Sequence, residues 1–212
     1  MRNIRLAMLL VLILACGASI AQPTGFKPAE SSTDLKKRFS EEGKKIVSIR
    51  SNFTQEKNLS MLEEKIVSEG KFWYKKDNKV RLEYQKPFRY LMMLNGNQMI
   101  IRDEQKESRV STQSSKLFQQ VNRIIMGCVN GSILNTRDFT SQVFQNEKFY
   151  LLVMTPASKT LKEFFETIQV MVDKKDWTVI GVTLQEPGGD NTIIKFTNRV
   201  YNENLDDSLF TP

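Results

Sequence analysis

The chain contains no histidine, and its two cysteines are Cys16 and Cys128. The lack of histidine excludes a Ser-His-Asp triad and a Cys-His catalytic pair. It also excludes most zinc sites, because a site built from cysteines alone needs more than two thiolates. No Gly-x-Ser-x-Gly motif is present and no spaced pair of acidic residues stands out, so nothing favours a hydrolase. We therefore expect no catalytic residues, no metal site and no cofactor.

The chain also lacks a cluster of basic residues, although basic residues are in excess. Lys and Arg total 31 and Asp and Glu total 24, which gives a net charge of +7. The basic runs, such as that at residues 35–38, are short and separated. A nucleic-acid groove has clustered basic side chains with aromatic residues between them, so we expect no nucleic-acid partner. The excess charge indicates solvated lysines, or a mild attraction to anionic membrane surfaces or acidic partners.

No apolar run is long enough for a comfortable membrane span, which needs about 20 residues. Residues 1–21 instead have the layout of a secretory signal peptide, with Arg2 and Arg5, then an apolar run, then small residues before Gln22. We expect cleavage before Gln22. A second interpretation stays open, because residues 13–16 resemble a bacterial lipobox, and Cys16 would then carry a lipid anchor. In both cases the chain is exported.

Removal of residues 1–21 leaves Cys128 as the single cysteine, so no internal disulfide can form. We expect Cys128 to be buried as a small hydrophobic residue. Residues 22–32 contain two prolines, a glycine and small polar residues, which is typical of a flexible leader. We assign residues 33–212 to a single domain, because no break in composition divides them.

A helix is predicted at the start of this domain, with Ser32 or Thr33 as its cap. Its apolar residues recur at steps of three, four and seven: they are Leu35, Phe39, Ile46, Ile49 and Phe53. Residues 115–129 return to the same helical spacing later in the chain.

Most of the remaining chain alternates between apolar and polar residues, which predicts strands. Phe72 and Tyr74 share one face of a strand, and Val80, Leu82 and Tyr84 share one face of the next. Turn signals such as Asp77-Asn78 and Asn95-Gly96 separate the strands. About nine to eleven strands joined by short turns form an antiparallel sheet that must curl to hide its edges. The predicted fold class is α+β: a curled, incompletely closed antiparallel β-barrel with helices over its open side.

Three short motifs occur in order between residues 51 and 110. They are Phe53-Thr54-Gln55, Gly70-Lys71-Phe72, and a strand that ends in an aromatic residue and a proline, Tyr84 and Pro87. The stretch "IQVMVDKKDWTVIGVTLQEPGGDNTIIKFTNRVYNENLDDSLF" adds paired strands around a polar turn. Taken together, nearly all of the mature chain resembles the periplasmic carrier family of outer-membrane lipoproteins, the LolA type.

The resemblance implies an α-helical lid over an apolar cavity inside the unclosed barrel, and a monomer without enzymatic activity. Such a carrier takes acylated lipoproteins from an inner-membrane lipoprotein-releasing ABC transporter. It carries their acyl chains through the periplasm to the outer membrane or to an acceptor there.

Large apolar residues on the predicted strands are the candidates for the cavity wall, although alternation alone cannot distinguish a hollow face from a packed core. The cavity candidates are Phe53, Phe72, Tyr74, Val80, Leu82, Tyr84, Met92, Met93, Met99, Met154 and Met171. The candidates for the lid or the rim are Lys76, Arg81 and Arg89. Methionine suits a carrier, since its flexible side chain adapts to different ligands.

One departure from the family pattern affects the predicted control of the lid. The family commonly has an Arg-Pro pair before the turn where this chain has Lys76-Asp77. Lysine keeps the positive charge but lacks the planar fork of arginine. Three alternatives to a lipoprotein carrier stay open: an outer-membrane-anchored lipoprotein receptor, an envelope-stress lipoprotein sensor, and a carrier for another exported lipid.

Overall fold

The computed structural model describes residues 23–62, 64–111 and 116–211. The predicted signal peptide and the alternative anchor at Cys16 lie outside these residues. Within them, none of the helices combines the length and the apolar character that a membrane crossing requires.

One antiparallel sheet contains all twelve strands of the described residues. The strands are β1 (Lys27–Pro28), β2 (Ser48–Leu59), β3 (Glu64–Lys75), β4 (Lys79–Lys86), β5 (Tyr90–Asn95), β6 (Gln98–Arg102), β7 (Glu107–Ser111), β8 (Phe139–Gln145), β9 (Phe149–Pro156), β10 (Thr167–Asp173), β11 (Val179–Gln185) and β12 (Asn191–Tyr201). Their spatial order is β1-β8-β9-β10-β11-β12-β2-β3-β4-β5-β6-β7. The end strands β1 and β7 do not pair with each other, so the sheet is not closed. The predicted fold class is confirmed.

The helices are α1 (Ser32–Lys44), α2 (Lys116–Val129) and α3 (Lys159–Lys162), and two 3₁₀ turns span Ser132–Asn135 and Asp207–Phe210. Helix α2 connects β7, at one edge of the sheet, with β8, next to the other edge. The connection therefore crosses the sheet from edge to edge. It crosses on the concave face, where apolar residues of α2 and of the strands line one cavity. The topology and the shared cavity wall together place a helix over the concave face of the sheet.

The first helix is shorter than the sequence predicts. It ends at Lys44 and β2 begins at Ser48, so the helix predicted to reach Phe53 is wrong in its second half. Ile49 and Phe53 satisfy the helical spacing, but from Ile49 to Phe53 buried residues also alternate with exposed Arg50 and Asn52, and the structure follows this period of two. The cap is Ser31, whose Oγ accepts a hydrogen bond of 3.4 Å from the backbone N–H of Asp34.

The segment predicted as a flexible leader makes backbone contacts with the sheet. Lys27 and Pro28 pair with Gln145 and Phe144 at the edge of β8. The backbone N–H of Ala29 donates a 2.9 Å hydrogen bond to a carbonyl of the same strand. Pro28 is compatible with this position, since a proline in a sheet is confined to an edge.

The predicted turn at Asp77-Asn78 is confirmed, and both residues have a positive φ, 68° and 61°. Two positive φ angles in succession are the geometry of a tight hairpin turn whose twist matches that of its strands.

The buried apolar residues form two clusters on the concave side. The larger one lies under α1 and α2, and includes Phe39, Leu152 and Ile168. The smaller one includes Phe53 and Phe72 and forms part of the wall described below.

The convex face is covered over β4 and β5 by the last 3₁₀ turn. Arg81 Nη1 and Asn95 Nδ2 each donate a 3.1 Å hydrogen bond to backbone carbonyls of that turn, at Leu209 and Phe210. This cover buries Phe210 to 1% exposure.

Candidate functional site

The concave face of the sheet and helix α2 enclose an apolar cavity of about 230 Å³. Its apolar wall consists of Ile46, Ile49, Phe53, Phe72, Val80, Leu82, Tyr84, Met92, Val121, Ile124, Ile125, Cys128, Val129, Phe165, Trp177, Val179, Val182, Leu184, Ile194, Phe196 and Tyr201. Four polar residues, Ser51, Gln55, Thr178 and Arg199, complete it. A second and more open depression of about 660 Å³ lies mainly on the convex face, with Leu151, Met171 and Ile193 among its lining residues.

Alternation along β2, β3 and β4 builds one side of the wall. Phe53 on β2 is opposite Gly70 on β3, and Gly70 is opposite Tyr84 on β4. A Cβ atom at position 70 would lie 2.6 Å from the Phe53 ring and 2.2 Å from the carbonyl oxygen of Glu83. Only glycine lets the Phe53 ring lie against β3. The Gly-x-Phe motif therefore provides space for one wall residue and supplies another, Phe72.

We expect Gly70→Ala to lower the free energy of unfolding by about 3 kcal/mol, because the added methyl group would clash with the backbone of Glu83 and with the Phe53 ring. Chemical denaturation checks this. Gly181→Ala is the control, since its Cβ would meet only the Ile194 carbonyl oxygen, at 3.1 Å, and we expect it to be destabilised less. Equal losses in the two variants would contradict the close approach of Phe53 to β3.

Tyr84 connects the first and third sequence motifs. Its ring meets Phe53 edge-on, with 5.0 Å between the centroids, and its hydroxyl donates a 2.8 Å hydrogen bond to Gln55 Oε1. Burial, with a smaller contribution from Tyr90, raises the pKa of Tyr84 to about 12. The phenol therefore stays neutral at physiological pH. Gln55 accepts the hydrogen bond that the Tyr84 hydroxyl donates, in a wall that is mostly apolar. This contact gives the glutamine of the Phe-x-Gln motif a physical role.

Because the pKa of Tyr84 is raised, the free energy of unfolding falls as the pH rises in the alkaline range. The unfolded chain loses this proton near pH 10 and the folded chain near pH 12. The stabilisation is therefore complete below pH 10 and is lost as the pH rises toward 12. At pH 11 we expect about 1.4 kcal/mol to be lost through this group. The measurement is the free energy of unfolding of wild type and Tyr84→Phe between pH 8 and pH 11. A slope as steep in the variant as in wild type would contradict the assignment.

Six of the sequence-predicted cavity residues line the cavity: Phe53, Phe72, Val80, Leu82, Tyr84 and Met92. They come together because β2 to β5 are neighbours and their inward positions are in register. That these residues bind lipid stays a prediction.

The other five predicted residues, Tyr74, Met93, Met99, Met154 and Met171, are not part of the wall. Tyr74, Met99 and Met154 are on the concave face but are packed into the core. Met93 pairs with Arg81, on the face that the C-terminal turn covers. Met171 lines the convex depression.

The three predicted lid or rim residues also lie away from the cavity wall. Lys76 is exposed in the β3–β4 turn, where its backbone N–H donates a 2.8 Å hydrogen bond to the Val47 carbonyl. Arg81 binds Glu83 and the C-terminal turn on the convex face. Arg89 is exposed in the β4–β5 turn.

Helix α2 and strands β11 and β12 supply wall residues that sequence reasoning missed. From α2 these include Ile125 and Cys128. Burial raises the pKa of the Cys128 thiol to about 12, so this cysteine is an apolar wall residue rather than a nucleophile. Ile194 and Phe196 on β12 lie on either side of Lys195 in the sequence. They show the same alternation of apolar and polar residues that predicts the cavity residues of β4.

Arg199 reaches the cavity through a distortion of β12. The register between β12 and β2 shifts between Thr197 and Val200, and Asn198 has a φ of 52°. This bulge reverses the alternation, so Arg199 and Tyr201 line the cavity along with Ile194 and Phe196. Burial raises the pKa of Tyr201, so its hydroxyl is also neutral.

The model of the family "Outer membrane lipoprotein carrier protein LolA" matches residues 44–212. None of the curated proteins matches the chain. Among solved structures, an uncharacterized conserved protein from Thermus thermophilus shares 9% identity at a TM-score of 0.52. It covers 86% of this chain, and 94% of its own length is covered.

MucB, whose complex with MucA is known from Pseudomonas aeruginosa, shares 14% identity at a TM-score of 0.50. The alignment covers 84% of this chain and 62% of MucB, so the chain spans less than two thirds of MucB. A LolA superfamily protein from Nitrosomonas europaea shares 12% identity at a TM-score of 0.43, over 84% of this chain and 97% of its own. At these identities the Thermus thermophilus protein and MucB, with TM-scores of 0.52 and 0.50, show a shared fold. The family model covers most of the chain, and the chain belongs to the LolA family of outer membrane lipoprotein carrier proteins.

Proposed function

We propose that this protein is a periplasmic carrier that holds the acyl chains of lipidated proteins in the cavity between the sheet and helix α2. One observation carries the proposal: a member of the LolA family has an apolar cavity that runs under a helix. The same features support a binding role over an enzymatic one.

Burial of acyl chains supplies the affinity in this proposal. Each methylene group moved from water into an apolar site contributes about 0.8 kcal/mol. About ten methylene groups therefore supply about 8 kcal/mol, the free energy of micromolar binding before the cost of association, without any charged contact. No specific fit is required, which suits a carrier that must also release its cargo.

The size of the cavity indicates that α2 moves when cargo binds. A cavity of about 150 Å³ holds benzene, and typical ligand pockets measure about 300–1,000 Å³. At about 230 Å³, the cavity accepts part of one acyl chain as it stands. A cargo with several acyl chains needs more space, and displacement of α2 provides it.

The carboxyl end of α2 is held firmly and is the natural pivot. A Cβ atom on Gly127 would lie 3.1 Å from Ile133, so helix and 3₁₀ turn are in close contact there. A Cβ atom on Gly43 of α1 would lie 2.3 Å from the backbone of Asn130, just after α2. We infer that α2 swings about this end.

The cellular route follows from the same proposal. The chain is exported, and cleavage before Gln22 leaves a monomer in the periplasm. It takes cargo from an inner-membrane lipoprotein-releasing ABC transporter and delivers it to the outer membrane. A lipid anchor at Cys16 would instead make the protein a membrane-bound receptor with the same cavity.

The experiment is intact-mass spectrometry of the protein isolated from its periplasmic and membrane fractions, first under native and then under denaturing conditions. We expect a chain that begins at Gln22 and carries one acylated lipoprotein, whose mass is lost on denaturation. A chain with a lipidated Cys16 would favour the receptor. A bare chain that also fails to accept a purified lipoprotein would contradict the proposal.

A further inference from the structure

Exposed apolar side chains concentrate at one end of the sheet, around the turn between β2 and β3 and the turn between β4 and β5. We call this set the apolar tip; it consists of Met61, Leu62, Ile66, Val67 and Phe88. Met61 is 92% exposed, Phe88 is 74% exposed and Leu62 is 64% exposed. A patch of exposed apolar side chains marks a site of contact with a membrane or with another protein.

The hairpin of β2 and β3 extends beyond the strand next to it. Strand β3 pairs with β2 from Glu64 onward, but with β4 only from Glu69 onward. Residues 64–68 therefore have a paired strand on one side only. The turn between β4 and β5 follows Lys86, which is opposite Glu69. Phe88 in that turn consequently lies beside the base of the projecting hairpin.

Neither face of this projecting hairpin is covered. Ile66 and Val67 are consecutive residues of a strand, so their side chains point to opposite faces of the sheet. They are 45% and 47% exposed. A protein surface that covers one face leaves the other face in water. The acyl layer of a bilayer surrounds an inserted hairpin on both faces, and this favours a membrane as the occupant.

The apolar tip adjoins one end of the cavity. Ser68 on β3 is opposite the wall residue Gln55, and Ile66 is the next residue on the same face. On β5, Tyr90 is opposite the wall residue Tyr84, and the centroids of their rings are 5.7 Å apart. Because alternate residues share a face, Ile66 and Tyr90 continue the concave face past this end of the cavity. A membrane that receives the tip would therefore lie at this end.

The charges near the tip indicate which kind of lipid surface fits. Three lysines close to the tip are in ion pairs: Lys57 with Glu186, Lys65 with Glu56, and Lys86 with Glu69. Arg89 and Glu64 are exposed, lie outside these pairs and carry opposite charges. The side chains around the tip therefore offer no surplus of positive charge to anionic headgroups.

We propose that the apolar tip inserts into the surface of a lipid bilayer, driven by burial of apolar area rather than by attraction to anionic headgroups. The end of the cavity at Gln55 and Tyr84 then faces the membrane. This inference goes beyond the proposed function, because the residues of the tip do not line the cavity and their insertion requires no cargo.

The test is flotation of the cargo-free mature protein with phosphatidylcholine vesicles in a density gradient. We expect the wild type to float with the vesicles. Its partition coefficient should change by less than about twofold when anionic lipid or salt is added, since salt screens only the interactions between charges. The double variant Met61→Ser/Leu62→Ser should lower the partition coefficient by at least about tenfold, because burial of one such side chain is worth about tenfold. Both side chains are exposed in a turn, so we expect the variant to fold, and urea denaturation checks this.

Val47→Ser is the matched control. Val47 is 43% exposed and directly precedes β2, whereas the tip follows the other end of that strand. This variant should therefore float as the wild type does.

A wild-type protein that does not float would overturn the inference, and so would a folded double variant that floats as well as wild type. Flotation that requires anionic lipid and is lost in salt would also overturn it, since charge would then drive the binding. A wild-type dimer that the double variant dissociates would identify a second copy of the chain as the occupant instead. None of these outcomes changes the cavity, so the proposed function is tested separately by mass spectrometry of the cargo.

Discussion

Leu82→Glu should abolish acyl-chain binding while the protein stays folded. Leu82 lies on β4 with its side chain in the cavity wall, between Phe72 on β3 and Met92 on β5. A carboxylate at this position must either stay hydrated or become protonated, and in both cases the site is less apolar. Exclusion of about four methylene groups lowers affinity more than a hundredfold. Calorimetry with dioctanoylglycerol measures the loss, and circular dichroism measures the fold.

Val200→Glu is the matched control for this variant. Val200 is 37% exposed on β12 and does not line the cavity. The same change of an apolar residue to Glu should therefore leave binding within about twofold of wild type. Undiminished binding by a folded Leu82→Glu protein would show that acyl chains do not occupy this part of the wall.

The second large effect is expected at Gly131, which follows α2 and precedes the first 3₁₀ turn. Gly131 has a φ of 71°, and a Cβ atom there would lie 2.2 Å from the carbonyl oxygen of Phe39 in α1. Backbone cannot rotate away as a side chain can, so α1 and the end of α2 must separate. We expect Gly131→Ala to lower the free energy of unfolding by more than about 3 kcal/mol. Urea denaturation provides the value.

Gly96→Ala separates the steric contribution from the backbone contribution. Gly96 has a similar φ of 60°, but nothing lies within 4 Å of its added Cβ. Its loss should be about 1 kcal/mol, the cost of a left-handed conformation alone. If the two variants were equally stable, the close contact between Phe39 of α1 and Gly131 would not exist.

The sheet and part of its wall could be predicted from the sequence because a period of two is a local signal. Val80, Leu82 and Tyr84 share a face in any strand, and the pairing of β4 with β3 and β5 places that face in the cavity. The end of the first helix could not be predicted in the same way. Ile49 and Phe53 fit a helix and a strand equally well, and pairing with β3 and β12 decides between them.

The misplaced methionines show where local pattern stops being informative. Met92 and Met93 are neighbours, and alternation sends one to the cavity and the other to the convex face. That Met93 is nevertheless fully buried depends on a turn more than a hundred residues later in the chain. Arg199 is a different case, because the bulge at Asn198 reverses the alternation that the sequence displays. The periodicity of the sequence predicts neither the burial of Met93 by a distant turn nor the bulge at Asn198.

The central claim is that acyl chains occupy the cavity under α2, and the convex depression is the rival site. The most direct test is photo-crosslinking with a diacylglycerol that carries a diazirine in its acyl chain, followed by peptide mapping. The account predicts crosslinks to the peptides of α2 and β4, at wall residues such as Ile125 and Leu82, which do not line the convex depression. Crosslinks concentrated at Met171 and Leu151, on the convex face, would contradict it.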